Sequence, residues 1–234
     1  MPEEWRNLTL EGDGRTDRCG GWGPGATVAR MRMFVAITPP EDALEDLAEF
    51  LAPRQDSAPG FRWSAQEEWH VTMAFMPQVV ERHLDDLLAG LERAAARRTP
   101  FALALAGGGA FPDAAKAKVL YVALDLGSAR AELDRLAAGV RSAANNVGAG
   151  TEGRKFQPHL TLARLGRSAE VTKWIRVLDS YRGPTWRAYQ VTLIESHLGE
   201  GPRRRPRYEV LESFPLRGAG QVLHNGTEWP PPVT

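Results

Sequence analysis

Residues 69–75 read WHVTMAF, and residues 158–164 read PHLTLAR. Each stretch holds a histidine, an apolar residue, a threonine, another apolar residue and an alanine, in that order. The recurrence of this pattern indicates an internal duplication. Because side chains of a β-strand point alternately to its two faces, each copy predicts a polar face carrying the histidine and threonine and an apolar face packed into a core.

The same alternation makes a prediction about the two alanines. In the first copy we expect Ala74 to share the face of His70 and Thr72, and the second copy predicts the same of Ala163. A small residue beside an imidazole and a hydroxyl leaves room for a ligand.

Two such strands facing each other would form a cleft with two imidazoles and two hydroxyls. One neutral imidazole would take a proton from the attacking group, and the other, protonated, would give a proton to the leaving oxygen. An imidazole pKa of about 6.5 allows both states near neutral pH. The hydroxyls of Thr72 and Thr161 would donate hydrogen bonds to the non-bridging oxygens. His70 and His159 therefore predict in-line displacement at a phosphodiester without a metal.

Two alternative readings have to be weighed. A single strand histidine beside a threonine is usually packed or half-exposed, and only the repetition of the pattern argues for a site. A two-histidine metal site would lack a third ligand, because His83 falls on a predicted helix and His197 and His224 show no local pattern.

Composition restricts the class of protein. The chain has 234 residues, a formal net charge of zero and one cysteine, Cys19, so an intramolecular disulfide is impossible. A polyanion would have to bind a local basic cluster. No stretch approaches the roughly 18 consecutive apolar residues of a membrane span. We expect a soluble, cytoplasmic monomer that does not interact with membranes.

Strand and helix patterns alternate along the chain, which predicts an α+β or α/β fold rather than a sandwich or a bundle. Residues 1–30 and 218–234 are predicted to be flexible tails around a domain at 31–217. Thr38 is predicted to cap the first helix. Residues 107–109, all glycine, lack the lysine of a P-loop and predict a flexible connection between two strands.

Several further stretches carry a family resemblance: MRMFVAI at 31–37, Arg62-Trp63, HVTMAF at 70–75, KVLY at 118–121, FQPHLTLAR at 156–164, Glu195-Ser196 and YEVL at 208–211. Over about residues 31–217 the chain resembles the 2H phosphoesterase superfamily. Within that superfamily it is similar to the RNA 2′,3′-cyclic phosphodiesterases, also called RNA 2′,5′-ligases.

The resemblance implies an α+β fold of two pseudo-symmetric lobes, each an antiparallel sheet with outer helices, and an active cleft between them. It implies hydrolysis of an RNA 2′,3′-cyclic phosphate end to a 2′-phosphate, reversible 2′,5′ joining of RNA ends, and no cofactor. His70 would be the proton donor and His159 the acceptor, although a near-symmetric site leaves the reverse assignment open. The sequence departs from the family at Met76-Pro77, where Leu-Gly is usual, and at Lys118, where arginine is frequent.

Candidates for substrate binding flank the motifs. Arg154 and Lys118 would hold phosphate, and Phe156 and Trp63 would stack on a terminal base, with core packing as the alternative for the aromatic residues. The expected partner is an RNA ending in a 2′,3′-cyclic phosphate. The alternatives are a small cyclic nucleotide or ADP-ribose cyclic phosphate as substrate, and a non-catalytic nucleotide- or RNA-binding module.

Overall fold

The computed structural model describes residues 30–58, 60–151, 155–201 and 205–218. Apart from Arg30 and Gly218, the predicted tails lie outside these ranges. The strands are β1 (Arg30–Ile37), β2 (Phe61–Trp63), β3 (Val71–Val80), β4 (Phe101–Phe111), β5 (Ala117–Asp125), β6 (Leu160–Ala169), β7 (Arg182–Ala188), β8 (Gln190–His197) and β9 (Arg207–Pro215). The α-helices are α1 (Glu41–Gln55), α2 (Leu84–Ala96), α3 (Arg130–Asn146) and α4 (Thr172–Asp179).

The strands form one curled antiparallel sheet in the order β7-β4-β5-β6-β3-β1-β8-β9, and β2 also pairs with β6. Its two halves, β3-β1-β8-β9 and β6-β5-β4-β7, join where Val71 pairs with Leu160. These residues follow the histidine in the two motifs, so the junction lies on the pseudo-two-fold axis of the duplication. The α+β prediction with two antiparallel halves is confirmed.

Helices α1 and α3 cross between the halves, whereas α2 packs on β9 and α4 packs on β4, each within its own half. Helix α1 follows β1 but packs on β7, and α3 follows β5 but packs on β3. The Tyr181 hydroxyl fixes α1 by donating a 2.6 Å hydrogen bond to Asp46. Residues such as Leu47, Leu91 and Leu136 are fully buried in one core cluster that spans both halves. No helix in the described ranges combines the length and the apolar character needed to cross a membrane.

A register shift interrupts β3 immediately after the first motif threonine. Thr72 pairs with Ala36 of β1, whereas Ala74 pairs with Val35, so Met73 is an extra residue on β3. This is a β-bulge, and it reverses the alternation of faces beyond it.

Strand β6 has the same bulge at the equivalent position. Thr161 pairs with Tyr121 of β5, whereas Ala163 pairs with Leu120, so Leu162 is the extra residue. The duplication therefore extends to an irregularity of the backbone.

The bulges overturn one prediction about the faces. Ala74 is 4% exposed and Ala163 is 0% exposed, and both belong to the core cluster instead of the histidine face. The next residues, Phe75 and Arg164, take the place predicted for the alanines. Simple period-two alternation fails here because one residue has been added to each strand.

Helix α1 also begins later than predicted. Its N-cap is Pro40, with φ −68° and ψ 163°, and the first helical residue is Glu41. A residue that precedes a proline is disfavoured in the α region. Pro39 and Pro40 therefore hold Thr38 and Pro39 extended, and Thr38 does not cap the helix.

Candidate active site

The junction between the two halves brings the four motif side chains together. Antiparallel register around Val71 and Leu160 sets His70 opposite Thr161 and Thr72 opposite His159. Val71 and Leu160 are buried and point towards the helices, so the four polar side chains share the other face of the sheet. This face is called the cleft face below.

His159 is oriented by a residue just before β6. Its Nδ1 lies 2.8 Å from the backbone carbonyl oxygen of Gln157. Because a carbonyl only accepts, Nδ1 must donate, and a neutral ring then presents Nε2 without a proton. The Gln157 amide also donates to the Tyr121 hydroxyl at 2.7 Å. Gln157 therefore fixes an imidazole and its neighbouring phenol together.

His70 is held in an equivalent way. It hydrogen-bonds to the backbone of Glu68, also two residues earlier in the chain. The ring of Phe34 stacks on the imidazole at 4.5 Å between centroids, with 25° between the planes. Tyr208 approaches edge-on at 5.6 Å. Two aromatic rings therefore pack on the imidazole, and they also contact each other, with 5.1 Å between their centroids.

Aromatic rings also flank His159, with centroid distances of 4.9 Å to Phe111 and 5.1 Å to Tyr121. The Tyr121 ring lies over Gly109, where a Cβ atom would collide with it. The predicted flexible connection at 107–109 is therefore wrong, since the three glycines belong to β4. Gly109 gives Tyr121 the space to reach His159.

Burial lowers the pKa of both catalytic candidates. The pKa of His70 lies at about 4, lowered chiefly by burial and also by the charges of His159 and Arg164, against the opposing hydrogen bond to Glu68. Burial also lowers the pKa of His159, and the charge of Arg164 lowers it further. Both imidazoles are consequently neutral at pH 7 in the free protein.

Arg164 is the cleft residue that the sequence prediction missed. It is exposed, while its neighbours Ala163 and Leu165 are buried, and its charge acts on both imidazoles. Strict alternation would have set this guanidinium among the apolar residues Leu160 and Leu162. A charged residue on an apolar face was therefore the available signal of a bulge.

The aromatic candidates for base stacking pack elsewhere. Trp63 lies against Trp174 at 5.2 Å and Phe61 at 5.6 Å, and it is partly buried at the core cluster. Phe156 also packs at that cluster, with the Arg141 guanidinium 5.4 Å from its ring. The ring contacts of the imidazoles come instead from the aromatic residues described above.

The structure gives less information on Lys118 and Arg154, the basic candidates for phosphate binding. Lys118 is exposed at a register irregularity between Ala117 and Val119, and its contact with substrate stays a prediction. Arg154 lies outside the described residues.

His197 stands among acidic side chains, with its Nε2 3.3 Å from Glu209. Within the described ranges, no three or more His, Cys, Asp or Glu side chains form a group suited to hold a metal ion.

Comparisons with known proteins agree with this geometry. A family model described as the 2'-5' RNA ligase superfamily matches residues 39–200. The RNA 2',3'-cyclic phosphodiesterase of Thermus thermophilus is 32% identical over 201 residues, covering 80% of this chain and 91% of that protein. The RNA 2',3'-cyclic phosphodiesterase of Geobacillus stearothermophilus is 27% identical over 192 residues, which cover 81% of this chain and 59% of that protein.

Solved structures give the same result for the fold. The crystal structure of the Thermus thermophilus protein TT0787 matches with a TM-score of 0.67 and 29% identity, covering 80% of this chain and 99% of that one. The E. coli LigT complexed with 3'-AMP matches with a TM-score of 0.64 and 25% identity, covering 80% and 99% of the two chains. The resemblance inferred from the motifs is confirmed: the chain belongs to the 2'-5' RNA ligase superfamily.

Proposed function

We propose that this protein hydrolyses the 2′,3′-cyclic phosphate at the 3′ end of an RNA to a 2′-phosphate, using the imidazoles of His70 and His159 as acid and base. The observation that carries the proposal is the meeting of both histidines and both motif threonines on one face, around the pair that joins the sheet halves. Two proton-transfer groups flanking one phosphorus are what an in-line displacement requires.

The reaction follows from this arrangement. His159, neutral, takes a proton from water as the water oxygen attacks the phosphorus atom. The bond from phosphorus to the 3′ oxygen breaks, and His70, protonated, gives its proton to that oxygen. The product carries a 2′-phosphate and a free 3′ hydroxyl. The assignment of donor and acceptor follows motif position in the family.

Charge that develops on the non-bridging oxygens would be stabilised by the hydroxyls of Thr72 and Thr161 and by the Arg164 guanidinium. The low pKa of His70 means that its proton is held weakly in the free protein. An anionic phosphate beside the imidazole raises that pKa. Substrate binding itself would therefore favour the protonated donor.

The same geometry accommodates 2′,5′ joining. If the 5′ hydroxyl of a second RNA replaces water, its attack on phosphorus releases the 3′ oxygen and leaves a 2′,5′ linkage. Both motifs belong to one chain, so a monomer would hold a complete site. The relatives from Thermus thermophilus and Geobacillus stearothermophilus carry the name RNA 2',3'-cyclic phosphodiesterase, and a LigT crystal contains 3'-AMP, which supports RNA ends as the substrate class.

The test is hydrolysis of an oligonucleotide with a 2′,3′-cyclic phosphate end, measured with and without EDTA, with the position of the product phosphate assigned by NMR. We expect a 2′-phosphate and equal rates under the two conditions. A 3′-phosphate product would contradict the leaving group. Loss of turnover in EDTA, restored by a divalent cation, would contradict acid–base catalysis without a metal.

A further inference from the structure

A second arginine stands beside Arg164 on the cleft face. Strand β2 pairs with β6 so that Arg62 is directly opposite Arg164, between the pairs Phe61 with Leu165 and Trp63 with Ala163. Directly opposed residues point to the same face, with Cβ atoms about 5 Å apart. Both arginines are exposed, so two positively charged side chains stand next to each other on the cleft face.

This pair has no counter-charge in the part of the chain that the structure describes. Neither arginine takes part in a hydrogen bond or an ion pair there, whereas Glu68, an acid near the cleft, receives the Ala65 amide at 3.2 Å and lies 3.9 Å from Arg205. Like charges placed directly opposite on paired strands are destabilising. An anion bound between them would offset that repulsion.

The position of β2 shows where Arg62 lies relative to the histidines. One edge of β6 pairs with β5, and the other edge pairs first with β3, at Leu160, and then with β2, at residues 163–165. Arg62 therefore lies along the line of the cleft, displaced from His70 and Thr161 towards the end of β6. Arg164 acts on both imidazoles, and Arg62 extends the positive charge away from them.

We propose that Arg62 binds a second phosphate of the substrate, the 5′ phosphate of the nucleotide that carries the cyclic phosphate, while Arg164 faces the reacting phosphate. A charged guanidinium recognises phosphate oxygens through directed hydrogen bonds. The site then selects an RNA end, or a 5′-phosphorylated nucleotide, over a nucleoside cyclic phosphate without that group. The inference rests on the proposed function for the identity of the ligand.

The test compares ligands that differ only in the second phosphate. Dissociation constants are measured by calorimetry for a nucleoside 3′-phosphate and for the corresponding 3′,5′-bisphosphate. Values of kcat/KM are measured for a nucleoside 2′,3′-cyclic phosphate with and without a 5′ phosphate. We expect the wild type to prefer the 5′-phosphorylated ligand by about tenfold to a hundredfold, the size of a charge-assisted hydrogen bond.

The variants are Arg62→Gln and, as a matched control, Arg167→Gln, which removes an exposed arginine further along β6. Arg62→Gln should bring both preference ratios close to one, and Arg167→Gln should keep the wild-type ratios. For an oligonucleotide, Arg62→Gln should also reduce the slope of log affinity against log salt by about 0.7, the contribution of one single-strand phosphate.

Two results would overturn the inference: wild-type ratios of one, or an Arg62→Gln variant that weakens every ligand by the same factor. The binding ratio does not depend on turnover. A bisphosphate preference that Arg62→Gln removes would therefore support the second-phosphate site even if no cyclic phosphate were hydrolysed, and in that case the proposed function alone would fail.

Discussion

The charge of Arg164 acts on two imidazoles at once. It lowers the pKa of His70 and of His159, in each case adding to the larger effect of burial. Burial also raises the pKa of Tyr121 and Tyr208, the phenols beside the two imidazoles. At neutral pH the free site therefore holds neutral imidazoles, protonated phenols and a fixed positive charge, an arrangement that favours an anion.

This electrostatic arrangement predicts the pH dependence of catalysis. The profile of kcat/KM reports the free enzyme, and both imidazole pKa values lie below their usual value. We expect a bell-shaped profile with its maximum below about pH 6.5. Arg164→Gln removes a positive charge, raises both pKa values and moves the maximum to higher pH, besides lowering its height.

Arg167→Gln is the control, because Arg167 is an exposed arginine on the same strand that is not among the charges shifting either imidazole pKa. Its profile should coincide with that of the wild type. An Arg164→Gln maximum at unchanged or lower pH would show that this guanidinium does not set the imidazole pKa values.

At the scale of elements, the paired bulges decide which residues reach the cleft. Met73 and Leu162 are the extra residues in β3 and β6, and each reverses the alternation that follows it. As a consequence, Phe75 stacks under the Arg32 guanidinium at 4.3 Å on one side of the cleft. On the other side, the equivalent position brings Arg164 to the histidines.

Buried charge offers a test of the bulge. Ala163→Asp would place a carboxylate in the core, because Ala163 is 0% exposed. We expect the free energy of unfolding to fall by roughly 3 kcal/mol or more, the usual effect of an uncompensated buried charge. Urea denaturation followed by circular dichroism measures it.

Ser168→Asp, at an exposed position of the same strand, controls for strand propensity and added charge and should change stability little. If Ala163→Asp were as stable as Ser168→Asp, Ala163 would face the cleft, as strict alternation predicts, and the bulge would be excluded.

The motif sequences were sufficient to predict that His70, Thr72, His159 and Thr161 meet on one face, because their positions precede the bulges. The motifs by themselves did not predict Arg164, because its position depends on the bulge, and the sign of the bulge in the sequence is a charged residue on the face that strict alternation makes apolar. The prediction of a flexible connection at residues 107–109 was wrong because the role of these glycines depends on contacts that the local sequence does not show. Their role depends on the Tyr121 ring and the Leu178 side chain, whose Cβ would lie 2.5 Å from a Cβ at Gly108, and these contacts are distant in sequence.

At the scale of the whole molecule, the duplication produces two half-sheets, and helices α1 and α3 hold these half-sheets together. One strand pair, Val71 with Leu160, connects the half-sheets where β3 meets β6. Helix α1 follows β1 but packs on β7 of the other half-sheet, and α3 follows β5 but packs on β3 of the other half-sheet. One core cluster contains residues of both half-sheets. Each half therefore relies on a helix from the other half to cover part of its apolar face.

This architecture predicts that the protein unfolds in one cooperative transition, although it consists of two duplicated halves. Urea unfolding followed by tryptophan fluorescence and by far-ultraviolet circular dichroism should give coincident curves. The tryptophans report both halves, since Trp69 precedes β3 and Trp186 lies in β7. Two separated transitions would indicate that the lobes are independent domains.

The central claim is that both imidazoles act on one phosphate from a shared face. Its most direct test is single-turnover hydrolysis of a 2′,3′-cyclic-phosphate oligonucleotide by the wild type, His70→Ala, His159→Ala and the double variant. Each single variant should lose roughly 10²–10⁴ in rate, and the double variant should lose little more than the slower single one, because groups that act as a unit are not additive. A near-wild-type rate in either single variant would contradict the claim.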